Sequence, residues 1–390
     1  MPSSRISRIQ PDVTPFRTFV LKVHSRCDLA CDYCYIYNGP DQSWRDRPRT
    51  MSPEVAEHAA RRIAEHVRGH RLDLVDVVLH GGEPLLCGPS LLGRIVTTVR
   101  RAVPARVRVS LQTNALRLDE TYLRLFDELD VVVGVSMDGG GPEHDRHRRT
   151  RSGAGSHAKV SAAVRELAAR PRRFGGLLCT VDLRNDPVAS YEALAAHRPP
   201  AVDFLLPHGN WSSPPPGRPP GQAAPYGNWL AAVFDRWYGA APRETGVRIF
   251  EEIIHLLLGG RSTAEGVGLE PVGIAVVETD GTIEQIDALK SAFDGAAATG
   301  LHVRTDDFDT ALRAPGFAAR QAGTAALSRQ CAACPVVRVC GGGHYAHRYR
   351  AGAGFAHPSV YCPDLFHLIG HIRDRLAEDV GRLRIVAEPA

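Results

Sequence analysis

Residues 27–34 read Cys-Asp-Leu-Ala-Cys-Asp-Tyr-Cys and directly follow a short apolar segment at residues 19–23. Three cysteines, Cys27, Cys31 and Cys34, are separated by three and then two residues, so one short loop can present three thiolates. Cubane iron–sulfur clusters are normally held by four cysteines, and a cage of three leaves one iron open for chemistry. A zinc site that a distant residue completes is the alternative that this spacing leaves open.

The composition is that of an ordinary globular protein, with 44% hydrophobic and 23% charged residues among 390. A net charge of +4 is too small for this length to indicate nucleic acid or an anionic membrane as a partner. We expect a cytoplasmic protein, because the N-terminus lacks the apolar core of a signal peptide and no run approaches the ~18 apolar residues of a membrane helix. In that reducing compartment, nine cysteines are more typical of metal ligands or buried thiols than of disulfides.

Short apolar segments alternate with helical segments through the first half of the chain. The predicted strands lie at about residues 19–23, 75–80, 107–112, 131–136, 177–181 and 202–206. The predicted helices lie at about residues 53–70, 119–128 and 156–170, with others at 90–101 and 191–197. Ser52 and Asp119 are the expected N-cap residues of the first and third of these helices in chain order. This alternation predicts an α/β fold with a parallel sheet covered by helices, and six units favour a partial (β/α)6 barrel of the TIM type.

The pattern changes after a proline-rich stretch at residues 212–221, which we expect to be an exposed loop. Two helical segments follow, then a predicted β-hairpin at residues 274–286 and a C-terminal helix. We therefore expect an N-terminal tail at 1–15, a barrel at 16–225, a helical bridge at 226–269, a cysteine-rich domain at 270–362, and a final helix with its tail at 363–390.

Unusual loops follow the first four predicted strands, and in parallel barrels such loops carry the functional groups. The cysteine loop follows strand one, residues 81–84 (Gly-Gly-Glu-Pro) follow strand two, and Thr113-Asn114 follows strand three. In the second loop, Gly81 and Gly82 let the backbone approach a ligand closely, and Glu83, before Pro84, offers an acceptor for an ammonium group.

The fourth strand ends in Ser136-Met137-Asp138-Gly139. Ser136 and Asp138 could bind a ribose, and Arg148, in the basic segment that follows, could pair with a carboxylate. Together the four loops describe a pocket for an amino acid attached to a nucleoside, beside an open iron. Taken singly, a glycine pair is usually only a turn, and a basic segment is usually a solvated face.

A second group of cysteines lies near the C-terminus. Cys331, Cys334, Cys340 and Cys362 are sufficient to hold one complete [4Fe–4S] cluster, and a structural four-cysteine zinc site is the alternative. The remaining two, Cys87 and Cys179, sit in apolar surroundings and are expected to be buried thiols.

The sequence resembles the radical S-adenosylmethionine (radical SAM) enzymes over about residues 16–210. Cys27, Cys31 and Cys34 match the family's cysteine motif, with the aromatic Tyr33 before the last cysteine. Residues 81–84 match the Gly-Gly-Glu-Pro motif that contacts the methionine amino group, and Ser136 and Asp138 match the strand end that contacts the ribose. The resemblance implies a [4Fe–4S] cluster whose open iron binds S-adenosylmethionine and generates a 5′-deoxyadenosyl radical, with a flavodoxin- or ferredoxin-type electron donor. The expected cofactor-binding residues are Tyr33, Gly81, Gly82, Glu83, Pro84, Thr113, Asn114, Ser136, Asp138 and Arg148.

The late cysteines resemble the SPASM (twitch-like) extension of radical enzymes that modify peptides. The chain departs from the complete pattern, since His344 and Ile286 stand where that family has cysteines and no cysteine lies between Cys179 and Cys331. The resemblance therefore implies a single auxiliary [4Fe–4S] cluster.

Residues 277–290 and 340–349 resemble FxsB-type maturases, which are similar to enzymes that join an aromatic ring to the β-carbon of a nearby residue in a precursor peptide. Asp287 resembles the acidic residue that sulfatase-maturing relatives use as a base, and a solvated hairpin aspartate is the alternative. The resemblance implies a cyclophane-forming peptide maturase with Asp287 as its catalytic base. An anaerobic sulfatase-maturing activity and a non-catalytic metal- or peptide-binding scaffold are the alternatives.

Overall fold

A computed structural model describes residues 13–218, 222–262 and 264–387. Parts of four predicted segments lie outside the described residues: 1–12 of the N-terminal tail, 219–221 of the proline-rich stretch, residue 263 of the helical bridge, and 388–390 at the C-terminus. The domain boundaries given above stay predictions.

One sheet of ten strands organises the chain, in the order β10-β9-β8-β1-β2-β3-β4-β5-β6-β7. Strands β1 to β8 pair in parallel, whereas β8–β9 and β9–β10 pair antiparallel at one edge. The strands are β1 (Thr18–His24), β2 (Leu74–Gly81), β3 (Arg106–Thr113), β4 (Val131–Ser136), β5 (Phe174–Thr180), β6 (Ala201–Leu205), β7 (Gly246–Val247), β8 (Ile274–Val277), β9 (Thr282–Glu284) and β10 (Ala298–His302).

Helices connect the parallel strands and cover one face of the sheet. They are α1 (Tyr35–Asn38), α2 (Pro53–His70), α3 (Pro89–Ala102), α4 (Glu120–Glu128), α5 (Gly141–His147), α6 (His157–Ala168), α7 (Pro187–Ala195), α8 (Pro225–Tyr238), α9 (Arg248–Leu257), α10 (Phe308–Leu312), α11 (Pro315–Gln321), α12 (Arg329–Ala332), α13 (Val337–Cys340) and α14 (Cys362–Ala387). Two predicted starts are confirmed, because the side chain of Ser52 accepts a hydrogen bond from Val55 N–H and that of Asp119 accepts one from Tyr122 N–H.

The two faces of β1 show how the sheet separates core from site. Phe19 and Leu21 are fully buried, and the ring of Phe19 packs against those of His66 on α2 and Phe308 on α10. Alternate strand residues point to opposite faces, so Val20 and Lys22 face the other way, into the barrel. The helix-facing residues therefore build the core, while the interior-facing ones can reach a ligand.

The predicted fold class is confirmed: six successive β/α units form a parallel, barrel-type sheet that does not close on itself. The structure differs from the sequence prediction in the loop after β4, which contains the short helix α5. It also extends the sheet beyond six strands, because β8 of the predicted hairpin pairs with β1, opposite β2.

The proline-rich stretch and the C-terminal helix are joined through Asp364 at the start of α14. Its carboxylate accepts hydrogen bonds from Tyr226 N–H (2.9 Å) and Gly227 N–H (3.1 Å) on α8 and pairs with Arg218 Nη2 at 2.6 Å.

In the part of the chain that the structure describes, no helix combines the length and the apolar composition that crossing a membrane requires.

Candidate active site

The cysteine loop leaves the carboxyl end of β1, as the sequence predicts. The sulfur of Cys27 accepts a hydrogen bond from the backbone N–H of Leu29 (3.4 Å) and a second, longer one from the side-chain Nδ2 of Asn114 (3.7 Å). Donors aimed at a sulfur favour its thiolate form, which is the form that binds iron. Burial raises the pKa of Cys27 to about 12 and that of Cys31 to about 11, a shift that the positive charge of a bound metal centre would oppose. The donor set therefore fits a cationic iron cluster.

The Gly-Gly turn after β2 packs directly against the start of the cysteine loop. The N–H groups of Gly82 and Glu83 donate to the carbonyls of His24 (2.8 Å) and Arg26 (2.9 Å). A Cβ atom added at Gly81 would overlap the carbonyl of His24, and one added at Gly82 would overlap Tyr37. Only glycine permits this close approach of the two loops.

Glu83 joins the loops after β2 and β3. It is 1% exposed, and its carboxylate accepts hydrogen bonds from the hydroxyl of Thr113 (2.7 Å), Asn114 N–H (2.8 Å) and Leu85 N–H (3.0 Å). Desolvation raises the pKa of Glu83 to about 7 despite these donors. The carboxylate of Glu83 thus binds donors of the protein itself. Direct contact of Glu83 with an ammonium group stays a prediction.

Asp138 joins the cysteine loop to the loop after β4. Its carboxylate accepts hydrogen bonds from Tyr33 Oη, from Arg148 Nε at 2.8 Å and from Thr180 N–H at 3.0 Å. The guanidinium of Arg148 also lies 5.5 Å from the ring centre of Tyr33. The structure therefore brings these three predicted residues together, with Arg148 paired to the chain's own carboxylate.

Ser136, at the end of β4, accepts a hydrogen bond from the side-chain amide of Gln112 at 3.0 Å. Contacts between the chain's own residues thus connect all four predicted loops at one end of the sheet. The assignment of individual residues to methionine or ribose contacts stays a prediction.

The late cysteines converge although 30 residues separate the first from the last. Cys331, Cys334, Cys340 and Cys362 all line one cavity of about 840 Å³ beside the start of α14. Burial and the neighbouring thiols raise the pKa of Cys340 to about 11. Four sulfurs around one cavity fit a closed metal centre.

Asp287 lies at the end of the β8–β9 hairpin and is 8% exposed, so it is not a solvated surface acid. Its Oδ2 accepts a hydrogen bond from Lys22 Nζ and lies 3.8 Å from His80 Nδ1. Despite the burial, the positive charges of Lys22 and Lys290 hold the pKa of Asp287 below its usual range. Asp287 is therefore an ionised carboxylate inside the protein.

The hairpin that carries Asp287 is itself held by buried ion pairs. Lys290 Nζ lies 2.5 Å from Glu278 Oε1 and 2.9 Å from Glu284 Oε2. Arg47, which follows the cysteine loop, pairs with Asp280 at 2.9 Å and with Glu284 at 2.5 Å. These contacts fix Asp287 relative to the cysteine loop.

A cavity of about 470 Å³ inside the barrel brings Asp287 and the cysteine loop together. Tyr35, which directly follows Cys34, lines it together with Asp287, His80 and His208. Its apolar wall includes Val20, Phe204 and Ile286. A side chain of a substrate placed here would lie between the cysteine loop and an ionised carboxylate.

Lys22, His80 and Tyr35 were not predicted as site residues. Lys22 carried a detectable signal, since it is one of three lysines in the chain and stands within an apolar strand. Lysine is almost never buried without a partner, so this position indicated a buried acid. The identity of that acid, 265 residues later, could not be read from the sequence.

Comparisons with known proteins agree with this geometry. Residues 21–180 match the profile of the radical SAM superfamily. The cysteine-type anaerobic sulfatase-maturating enzyme of Clostridium perfringens (strain 13 / Type A) is 26% identical over 288 residues, which cover 70% of this chain and 74% of that one. The serine-type enzyme of Bacteroides thetaiotaomicron is 25% identical over 267 residues, 64% of each chain.

Two solved structures show the same fold. Native anSMEcpe with bound AdoMet and Cp18Cys peptide superposes with a TM-score of 0.78 at 20% identity, covering 94% of this chain and 99% of that one. SuiB of Streptococcus suis bound to its precursor peptide SuiA gives a TM-score of 0.62 at 11% identity, covering 90% and 76%. Residues 21–180, which contain the three-cysteine loop and the Gly-Gly-Glu-Pro turn, are therefore the part of the chain that is similar to the radical SAM superfamily.

Proposed function

We propose that the protein is a radical SAM enzyme that modifies a ribosomally made precursor peptide, joining an aromatic ring to the β-carbon of a nearby residue in a cyclophane. The observation that carries the proposal is the shared cavity of Tyr35 and Asp287, which places an ionised carboxylate next to the residue that follows Cys34. The peptide-bound anSMEcpe and SuiB structures support a peptide as the substrate.

In this proposal Cys27, Cys31 and Cys34 hold a [4Fe–4S] cluster, and the predicted cofactor-binding residues around the Gly-Gly-Glu-Pro turn hold S-adenosylmethionine. The four late cysteines hold one auxiliary [4Fe–4S] cluster. These groups supply the electron chemistry, namely the radical that removes a hydrogen atom and an iron–sulfur centre that accepts the remaining electron. The chain supplies position, exclusion of water and a proton acceptor.

Asp287 is suited to accept the proton that crosslinking releases. Crosslinking removes two hydrogens from the peptide, one as an atom and the other as a proton and an electron. Oδ2 of Asp287 is bound to Lys22, whereas Oδ1 has no hydrogen-bond partner among the described residues. Because Lys22 keeps the carboxylate ionised, Oδ1 is available as the acceptor.

The reductant that the cluster requires is proposed to be a flavodoxin- or ferredoxin-type protein. A groove of about 720 Å³ beside Cys27 is lined by Arg26, Arg49 and Arg151. This positive charge next to a cluster ligand supports a negatively charged donor, because complementary charge steers association.

Formation of formylglycine on a protein is the second candidate. It is favoured by the similarity to the Clostridium perfringens sulfatase-maturating enzyme over 70% of this chain. Both candidates use the same cofactors and a nearby acid, so the product distinguishes them. Formylglycine is an aldehyde, whereas a crosslinked peptide is not.

Replacing Cys27, Cys31 and Cys34 together with alanine is expected to abolish cleavage of S-adenosylmethionine and to remove about four iron atoms per chain. The measurements are 5′-deoxyadenosine formation with dithionite and iron content after anaerobic reconstitution. Cys87→Ala, a half-buried thiol outside both groups, is the control and should change neither. Residual cleavage in the triple variant would mean that another loop binds the cofactor.

The product is tested by coexpression with the short peptide encoded beside the gene. We expect a loss of two hydrogens, no labelling by an aldehyde-reactive hydrazide, and tandem mass spectra that lack fragments between the joined residues. An aldehyde-labelled product would favour formylglycine formation instead. A peptide that remains unchanged beside an enzyme that cleaves S-adenosylmethionine would rule out this precursor as the substrate.

Asp287→Asn is expected to lower the crosslinking rate about 100-fold, since a general base typically contributes at least that factor. Cleavage of S-adenosylmethionine should persist, so the two reactions become uncoupled. Asp294→Asn, an exposed acid on the same segment, is the matched control. Full crosslinking by the Asp287 variant would remove this residue from the site.

Lys22→Met is expected to make the crosslinking rate depend on pH between alkaline and neutral conditions. Lys22 lowers the pKa of Asp287, and desolvation raises it. Without Lys22 the pKa of Asp287 therefore rises, although Lys290 and His80 still oppose this rise. The protonated acid cannot accept a proton, so the crosslinking rate should fall as the pH decreases from alkaline to neutral. Lys159→Met, an exposed lysine, should keep the wild-type pH profile, and an identical profile for Lys22→Met would contradict this role.

A further inference from the structure

We propose that His208, His344 and His347 together bind one divalent transition-metal ion at the wall of the barrel cavity. One nitrogen from each of the three imidazoles lies within 4.8 Å of the others. The group contains no cysteine, and its histidines line the cavity shared by Tyr35 and Asp287 instead of the cavity lined by the late cysteines. Metal binding at these three histidines does not depend on which peptide product the enzyme forms.

The spacing is that of ligands around one ion. His347 Nε2 lies 3.3 Å from His208 Nδ1, which is long for a hydrogen bond between two rings. Two nitrogens bound tetrahedrally at the usual zinc–nitrogen distance of 2.0–2.1 Å would lie about 3.3 Å apart. The ring centres of His344 and His347 are 4.9 Å apart, and that of His208 lies 5.5 Å from the first and 5.4 Å from the second.

The three side chains come from two separate segments that are held in place. His208 follows β6, and its ring packs edge-on against Tyr35 with centres 4.3 Å apart. His347 is 4% exposed, and its backbone pairs with His344 O and Val360 N.

A carboxylate lies next to His344, outside the group of three imidazoles. Glu265 Oε2 is 3.7 Å from His344 Nε2, and the same carboxylate pairs with Arg320. The other nitrogen of His344, Nδ1, accepts a long hydrogen bond of 3.3 Å from Ala346 N–H. When His344 binds an ion through Nε2, its ring proton moves to Nδ1, and only this hydrogen bond is lost. Imidazoles with one carboxylate are typical ligands of zinc and iron(II).

Zinc is the probe for the test, because such sites bind Zn²⁺ more tightly than Fe²⁺. The full-length enzyme is reconstituted anaerobically so that iron and sulfide fill the cysteine sites, loaded with ZnCl₂, desalted and analysed by elemental mass spectrometry. We expect about one zinc per chain, with nitrogen and oxygen neighbours at 2.0–2.1 Å in zinc-edge X-ray absorption.

His208→Gln and His344→Gln should each weaken zinc binding more than tenfold, because loss of an outer-shell partner alone costs 10–100-fold. His58→Gln, a histidine on α2 outside the cluster, is the matched control and should retain the wild-type zinc content. Unchanged iron and sulfide contents show that a variant is folded. Zinc bound equally by all variants, a sulfur shell at about 2.3 Å, or no zinc in the wild type would overturn the proposal.

Discussion

The buried carboxylate of Asp138 is the interaction on which the rest of the site depends. It is 2% exposed and receives hydrogen bonds from three different segments, through Tyr33, Arg148 and the backbone of Thr180. A buried charge that loses its partners costs several kcal/mol, so the carboxylate strongly favours the arrangement in which all three segments meet. The cysteine loop is thereby tied to the ends of β4 and β5.

Asp287 shows the opposite use of the same chemical group. Both oxygens of Asp138 are occupied by the chain, whereas only one oxygen of Asp287 has a partner. A fully bonded carboxylate holds a structure together, while a half-bonded one next to a cavity can bind or accept something further. Two buried aspartates in one barrel are thus distinguished by their hydrogen bonds, not by their exposure.

Local signals predicted much of this architecture. Ser52 and Asp119 marked helix starts, and the apolar segments marked the six principal strands, because capping and burial depend on neighbouring residues. The grouping of the loops after β1 to β4 followed from the parallel sheet, and the contacts of Glu83 with Thr113 and Asn114 agree with it.

Long-range pairings could not be predicted in the same way. The sequence gives no register between β1 and β8, no partner for Lys22, and no reason to place His208 beside His344 and His347. Arg148 illustrates the difficulty, since its charge predicts a carboxylate partner but does not indicate that Asp138 supplies one. Which of several acids a buried cation meets depends on tertiary structure.

The pairing of β8 with β1 has a consequence for folding. Thr18 lies opposite Ile274, so more than 250 residues are synthesised before the first strand acquires its second neighbour. Until then β1 is an edge strand, and Lys22 lacks the acid that neutralises it. Closing so long a loop is slow compared with local folding. The last third of the chain therefore controls when the first strand, from which the cysteine loop emerges, reaches its final surroundings.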